Sequence, residues 1–154
     1  MPWSPDSSTT GGAITGFTSP TFTLVDDTAP AVNAKQKTVS ALGGTQGVAT
    51  ANAISRPFTA TFYKPASIVA LPAANPSTGL RGSVPNNQYK LIIRKGGFAS
   101  ADVPVTAVAR ITIDVPAGMD SYNPDEVRSL VSFMVGLLNE ESADLADTLL
   151  TGVV

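Results

Sequence analysis

Neither cysteine nor histidine occurs anywhere in the chain. Without cysteine there are no disulfides and no thiolate metal sites. Without histidine, the commonest general base and the commonest metal ligand are both missing. Charge is scarce as well: Asp, Glu, Lys and Arg make up 14% of the residues, against about 25% in typical soluble domains. No apolar run approaches the roughly 20 residues of a membrane span. The opening MPWSPDSSTTGG lacks the basic start and apolar core of a secretory signal. The expectation is a cytoplasmically made protein with no membrane partner, no metal and no cofactor.

What is present points to contacts between chains. Few charges beside 43% hydrophobic residues imply that much surface is hidden against other copies. The alternative is a neutral, Thr/Ser/Ala-rich β domain. With 154 residues, the chain is long enough for one domain with a core and short for two. The net charge of −2 also conceals a split. Residues 1–117 hold nine basic and five acidic side chains, a surplus of +4. Residues 118–154 hold one base, Arg128, and seven acids, a balance of −6. A basic strand region joined to an acidic helical region puts opposite potentials on opposite faces.

Residues 1–20 are rich in Ser, Thr, Gly and Pro and read as an irregular start. TFTLVDD (21–27) is a short alternating strand, DDTAPAVNA carries turn chemistry, and KQKTVSAL (35–42) returns as the second arm of a hairpin. GVATANAI (47–54) reads as a weak third strand. Three clearer strands follow, each sorted into two faces by alternation. Phe58, Ala60 and Phe62 point opposite to Thr59, Thr61 and Tyr63. Tyr89, Leu91 and Ile93 oppose Lys90, Ile92 and Arg94. Ala107, Ala109, Ile111, Ile113 and Val115 oppose Thr106, Val108, Arg110, Thr112 and Asp114. One apolar face and one Thr/basic face describe a one-sided antiparallel sheet. Between the strands, 65–87 reads as a long loop whose SIVAL core has room for a short strand. KGGFASADVP (95–104) reads as a flexible connection.

SYNPDEVRSLVSFMVGLLNEES is the one long helical signal. Asn123 suits the N-cap, Pro124 the first helical position and Glu126 a capping box. Val127, Leu130, Val131, Met134 and Leu138 form one stripe; Phe133, Leu137 and Val135 widen it to roughly 200°, twice what a surface helix needs. Ser142 is placed to cap a second short helix, ADLADTLL. The apolar sheet face needs a lid, and this helix is the only large one in the sequence. The economical arrangement is a homodimer in which each helix crosses the partner's sheet and touches the partner's helix. The predicted interface is Val127, Leu130, Val131, Phe133, Met134, Leu137 and Leu138. The alternative is a monomer whose helix sits under the 65–87 loop.

The other sheet face then stays open. It carries Thr59, Thr61, Tyr63, Gln88, Lys90, Arg94, Thr106 and Arg110. Hydroxyls, amides and cations hold a phosphate backbone, and an aromatic stacks on an unpaired base. Thr and Lys are also ordinary exposed strand residues, so residue types leave both readings open.

The order of elements resembles the coat proteins of single-stranded RNA bacteriophages, the leviviruses. The residues that carry the resemblance are RITIDVPAGMDSYNPDEVRSLVSFMVGLLNEESADLADTLLTGVV (110–154), with NNQYKLIIRK and GVATANAISRPFTATFYKP in support. The resemblance implies an α+β fold: an N-terminal hairpin and antiparallel sheet (21–117), then two C-terminal helices (123–150), in a single coat-protein domain that forms an intertwined dimer. It implies a capsid function: dimers assembling into an icosahedral shell around single-stranded RNA, in a virion made in the bacterial cytoplasm. It further implies that an RNA hairpin binds the open sheet face and represses translation, with Thr59 and Thr61 lining adenine pockets and Lys90 and Arg94 on phosphates. Ile92, Val108 and Tyr63 depart from the family's usual polar or basic residues there. The Gly-Gly segment near 95–104 resembles the family's variable loop at the shell's symmetry axes.

No Ser/His or Cys/His pair can form, and GGTQG and KGG lack the frame of a phosphate-binding loop, so catalysis is not expected. The competing structural reading is a β-rich subunit of a pilus or phage tail without RNA binding. A small RNA-binding regulator without a shell is disfavoured by the low charge content.

Overall fold

The structure is a computed structural model and describes residues 2–153. Six strands form one fully antiparallel sheet in chain order: β1 (Ser8–Thr10), β2 (Thr18–Asp27), β3 (Ala34–Thr45), β4 (Phe58–Tyr63), β5 (Asn86–Ser100) and β6 (Val103–Pro116). Three helices follow: α1 (Met119–Tyr122), α2 (Pro124–Glu140) and α3 (Ser142–Thr151). This is the α+β arrangement read from the sequence, with differences in detail.

The register confirms the two faces. Phe62 pairs with Leu91, and Leu91 with Ile111; Ala60 pairs with Ile93, and Ile93 with Ala109. Directly paired residues share a face, so these form continuous apolar rows. The opposite face carries the rows Thr38–Thr59–Arg94–Val108, Gln36–Thr61–Ile92–Arg110 and Ala34–Tyr63–Lys90–Thr112.

Burial inverts the expectation. The apolar rows remain only half-covered or exposed, whereas Thr59 and Thr61 of the polar face are buried. Among the described residues the buried apolar side chains are few: Pro20, Val39, Val115 and Ala117. Trp3 covers a part of the apolar face, stacking on Phe62 with ring centroids 5.4 Å apart, and Phe62 in turn stacks on Tyr89 at 6.3 Å. The protomer exposes 10613 Å², where a compact monomer of this size exposes about 7300 Å².

α2 does not supply the missing lid within its own chain. It lies near α1 and α3 but makes no extensive approach to any strand. It is α3 that is tethered to the β1–β2 connection: Ser142 Oγ donates to Ala13 O at 2.7 Å, and Thr15 Oγ1 donates to Asp147 Oδ2 at 3.1 Å. Val127, Val131 and Met134 form a half-buried seam. Beside it the flank is bare: Leu130 is 53% exposed, Phe133 72% and Leu137 48%.

Several sequence expectations are corrected. GVATANAI is not a strand; residues 53 and 56 form only an isolated bridge, because the segment has no apolar alternation to hold it in the sheet. SIVAL adds no strand and stays in an irregular loop. The KGGFASADVP segment is mostly sheet, since β5 and β6 pair almost to their ends and leave only residues 101–102 as the tip. The start is less irregular than expected, because β1 and the first residues of β2 lie within 1–20. α1 was missed; it follows Gly118, whose φ of 89° makes the corner after β6 and is a conformation that favours glycine. Asn123 stands at the N-cap of α2 but makes no side-chain capping bond. Ser142 is inside α3, its hydroxyl spent on Ala13.

Gly96 marks a close approach. A Cβ there would meet Arg56 Cα at 2.5 Å and Pro57 Cδ at 2.7 Å, whereas one on Gly97 would meet nothing within 4 Å. Gly96→Ala is therefore expected to destabilise the fold by about 1–3 kcal/mol, and Gly97→Ala to cost far less. Thermal unfolding of the two variants side by side checks this.

Candidate nucleic-acid interface

Strand alternation and pairing bring all eight sequence-predicted residues of the polar face onto one side of the sheet. They differ in access. Lys90, Gln88, Thr106 and Arg110 are exposed, Tyr63 and Arg94 half-buried, and Thr59 and Thr61 buried. Thr61 is fully enclosed. Its hydroxyl donates to Gln36 Oε1 at 2.8 Å and accepts from Arg94 Nη1 at 3.5 Å. A ligand reaching Thr61 must first displace those two side chains. Gln88 is also engaged, donating to Asp114 Oδ1 at 2.9 Å across the β5–β6 pair.

Tyr63, Gln88, Lys90 and Ile92 line one side of a groove of about 510 Å³, closed on the other by Asn33, Lys64 and Pro65. This end of the face combines an aromatic ring, two amides and two ammonium groups. Such a set makes phosphate contacts and stacks on a base.

The helical prediction is also located. All seven residues named for the dimer contact lie on α2; Val127, Val131 and Met134 are partly covered within the protomer, while Leu130, Phe133, Leu137 and Leu138 are exposed.

A scan of protein-family models and a search of curated proteins match nothing. Among solved structures, the chain superposes on one titled "Virus-like particle of bacteriophage ESE020" with a TM-score of 0.94 and 40% sequence identity, over 99% of each chain. The chain belongs to the levivirus-like coat proteins. A second solved structure, "Virus-like particle of Beihai levi-like virus 32", has a TM-score of 0.54 at 14% identity, covering 86% of this chain and 88% of that one; it supports the fold alone. As a member of this family the protein is a structural capsid protein rather than an enzyme, which sets aside the pilus or tail subunit.

Sequence reasoning missed Gln36 and Thr38, which extend this coat protein's polar face onto β3, and left Thr112 and Asp114, which it did place on that face, out of the site. The alternation of KQKTVSAL carried the signal for the first two. Arg56 and Phe98 had none, because Arg56 precedes the alternating residues of its strand and Phe98 lies in a segment read as a loop. Arg56 Cζ sits 5.5 Å from the centroid of the Phe98 ring. Beside them, Lys95 Nζ donates to Thr50 O at 2.7 Å and lies 4.7 Å from the centroid of Phe58. Burial pushes the Lys95 ammonium below its ordinary range, and the charge of Arg56 adds to the shift.

The 65–87 loop of the coat protein is anchored at its base. Asn87 is buried; its amide accepts from Val69 N at 2.8 Å and donates to Val69 O at 3.0 Å. Farther out, Arg81 Nη1 donates to Pro72 O at 2.7 Å, and Asn75 folds an exposed turn through Ser77 and Thr78.

Proposed function

We propose that this coat protein acts as a homodimer, that dimers assemble into an icosahedral shell around single-stranded RNA, and that the polar sheet face binds that RNA. The observation that carries the reading is the bare apolar face together with the bare flank of α2. The surface in excess of a compact monomer is on the order of 3000 Å², on the scale of the interfaces that obligate assemblies bury. A second copy laying Leu130, Phe133 and Leu137 against the rows of Phe62, Leu91 and Ile111 removes both faces from water at once. β6 supports an edge-to-edge joining of two sheets: it is the outermost strand, 14 residues long, and an unpaired edge of that length is a ready template for another strand.

The charge division supports the orientation. The acidic helices would face outward and the cationic sheet inward, toward RNA. Repression of translation through an RNA hairpin is part of the same proposal and rests on the polar face. The closure of Thr61 by Gln36 and Arg94 implies that reading a base there is coupled to movement of both side chains. All 154 residues would act as one domain, made in the bacterial cytoplasm and destined for the virion.

Expression of the full chain in bacteria followed by electron microscopy tests the shell. Closed particles tens of nanometres across that contain host RNA are expected; small discrete species alone contradict the reading. Leu130→Asp should abolish dimers by putting a charge in a dry contact at a cost of several kcal/mol. Sedimentation that still shows a normal dimer removes α2 from the interface. Lys90→Ala and Arg94→Ala should each weaken binding of single-stranded RNA and lower the slope of log K against log salt by about 1. Unchanged affinity and slope remove the polar face from RNA binding.

A further inference from the structure

The polar face continues past its predicted end. Alternation along β5 places Gln88, Lys90, Ile92, Arg94, Gly96 and Phe98 on the same side. At Gly96 the missing side chain makes room for the backbone of Arg56 and Pro57, which lies against that face. Gly96 N donates to Pro57 O at 2.6 Å and fixes the approach. The guanidinium of Arg56 is thereby carried over the Phe98 ring, one step beyond Arg94 in the direction of the hairpin tip.

This corner has unmet demands. Arg56 Nε is buried and has no hydrogen-bond partner. Among the described residues the ion pairs are Lys37–Asp26 and Arg128–Asp125, so no carboxylate neutralises Arg56 or Lys95. Two cations therefore share a cleft of about 400 Å³, lined also by Val48, Thr50, Gly96 and Phe98. Phe98 is 51% exposed, which leaves ring surface free. The Arg56 guanidinium lines this cleft beside the Phe98 ring without a carboxylate partner, and a cation so placed suits an anion that enters the cleft. An exposed ring beside it offers a stacking platform for an unpaired base. Single-stranded RNA supplies both groups in one ligand.

We propose that Arg56 and Phe98 form a nucleotide subsite at the hairpin end of the polar face, Arg56 binding a phosphate and Phe98 stacking on the adjacent unpaired base. The proposal rests on the RNA reading above and extends its track by residues that lie outside the strands first assigned to it. An acidic peptide would meet the cations but would leave the ring idle, so RNA is the better fit.

The test is binding of a fluorescent, unstructured uridine oligonucleotide to the purified full-length protein over a range of salt. The variants are Arg56→Gln, Arg56→Lys, Phe98→Leu and, as a reference, Lys90→Ala. Arg56→Gln should weaken binding about tenfold and lower the salt slope by about 1. Arg56→Lys should keep the slope but lose part of the affinity, because its ammonium cannot stack as a plane. Phe98→Leu should lose about tenfold without changing the slope. Wild-type binding by Arg56→Gln and Phe98→Leu, with Lys90→Ala impaired, overturns the subsite and leaves the polar face standing. Wild-type binding by all the variants overturns both. Unchanged RNA binding with a lower particle yield for Arg56→Gln means that the cation faces a carboxylate of another copy, and the RNA subsite is wrong. If Arg56→Gln fails to fold, as judged by circular dichroism, Phe98→Leu decides the question alone.

Discussion

An apolar sheet face that its own chain does not cover is the constraint from which the rest follows. Hydrophobic burial is the dominant favourable term in folding, yet the buried apolar residues among those described are Pro20, Val39, Val115 and Ala117. These are too few to offset the entropy of ordering a chain of this length. The scarcity of charge has the same origin, since positions destined for contact between copies tolerate few ions. A lone protomer is therefore an intermediate in an assembly rather than a finished molecule. Under the proposed dimerisation, folding and the first step of assembly would become one event, and a stray protomer would have little stability of its own.

The two sides of the sheet differ in chemistry, and the residues divide cleanly between them. Phe58, Phe62, Leu91 and Ile111 make one face apolar, while Lys90, Arg94 and Arg110 hold charge on the other. On the polar side, Gln36 and Arg94 close over Thr61. Under the proposed function, recognition there would involve exchange of those hydrogen bonds rather than simple docking.

Periodicity made the faces legible. The alternation in RPFTATFYK, YKLIIRK and TAVARITIDV assigned every residue of β4, the middle of β5 and most of β6 to its side, and the 3.6-residue stripe located α2. What periodicity does not encode was misread. GVATANAI has β-branched residues but no partner strand. KGGFASADVP looked like a loop because paired glycines suggest flexibility, yet Gly96 is small to admit the backbone of Arg56, and the ladder runs on to Ser100. Ser142 looked like a cap, but a contact 129 residues away claims its hydroxyl. Arg56 and Phe98 meet only through that tertiary approach, and no local pattern announces it.

The 65–87 loop is joined to the sheet at its base, where Asn87 clasps Val69 and Ala117 N donates to Pro85 O. Beyond that clasp the Asn75–Leu80 turn is held by bonds within the loop itself. Sequence added at that turn would hang outside the hydrogen bonds that define the sheet. In a shell built from many such subunits, that turn would recur as a regular array of positions where added residues need not disturb the sheet.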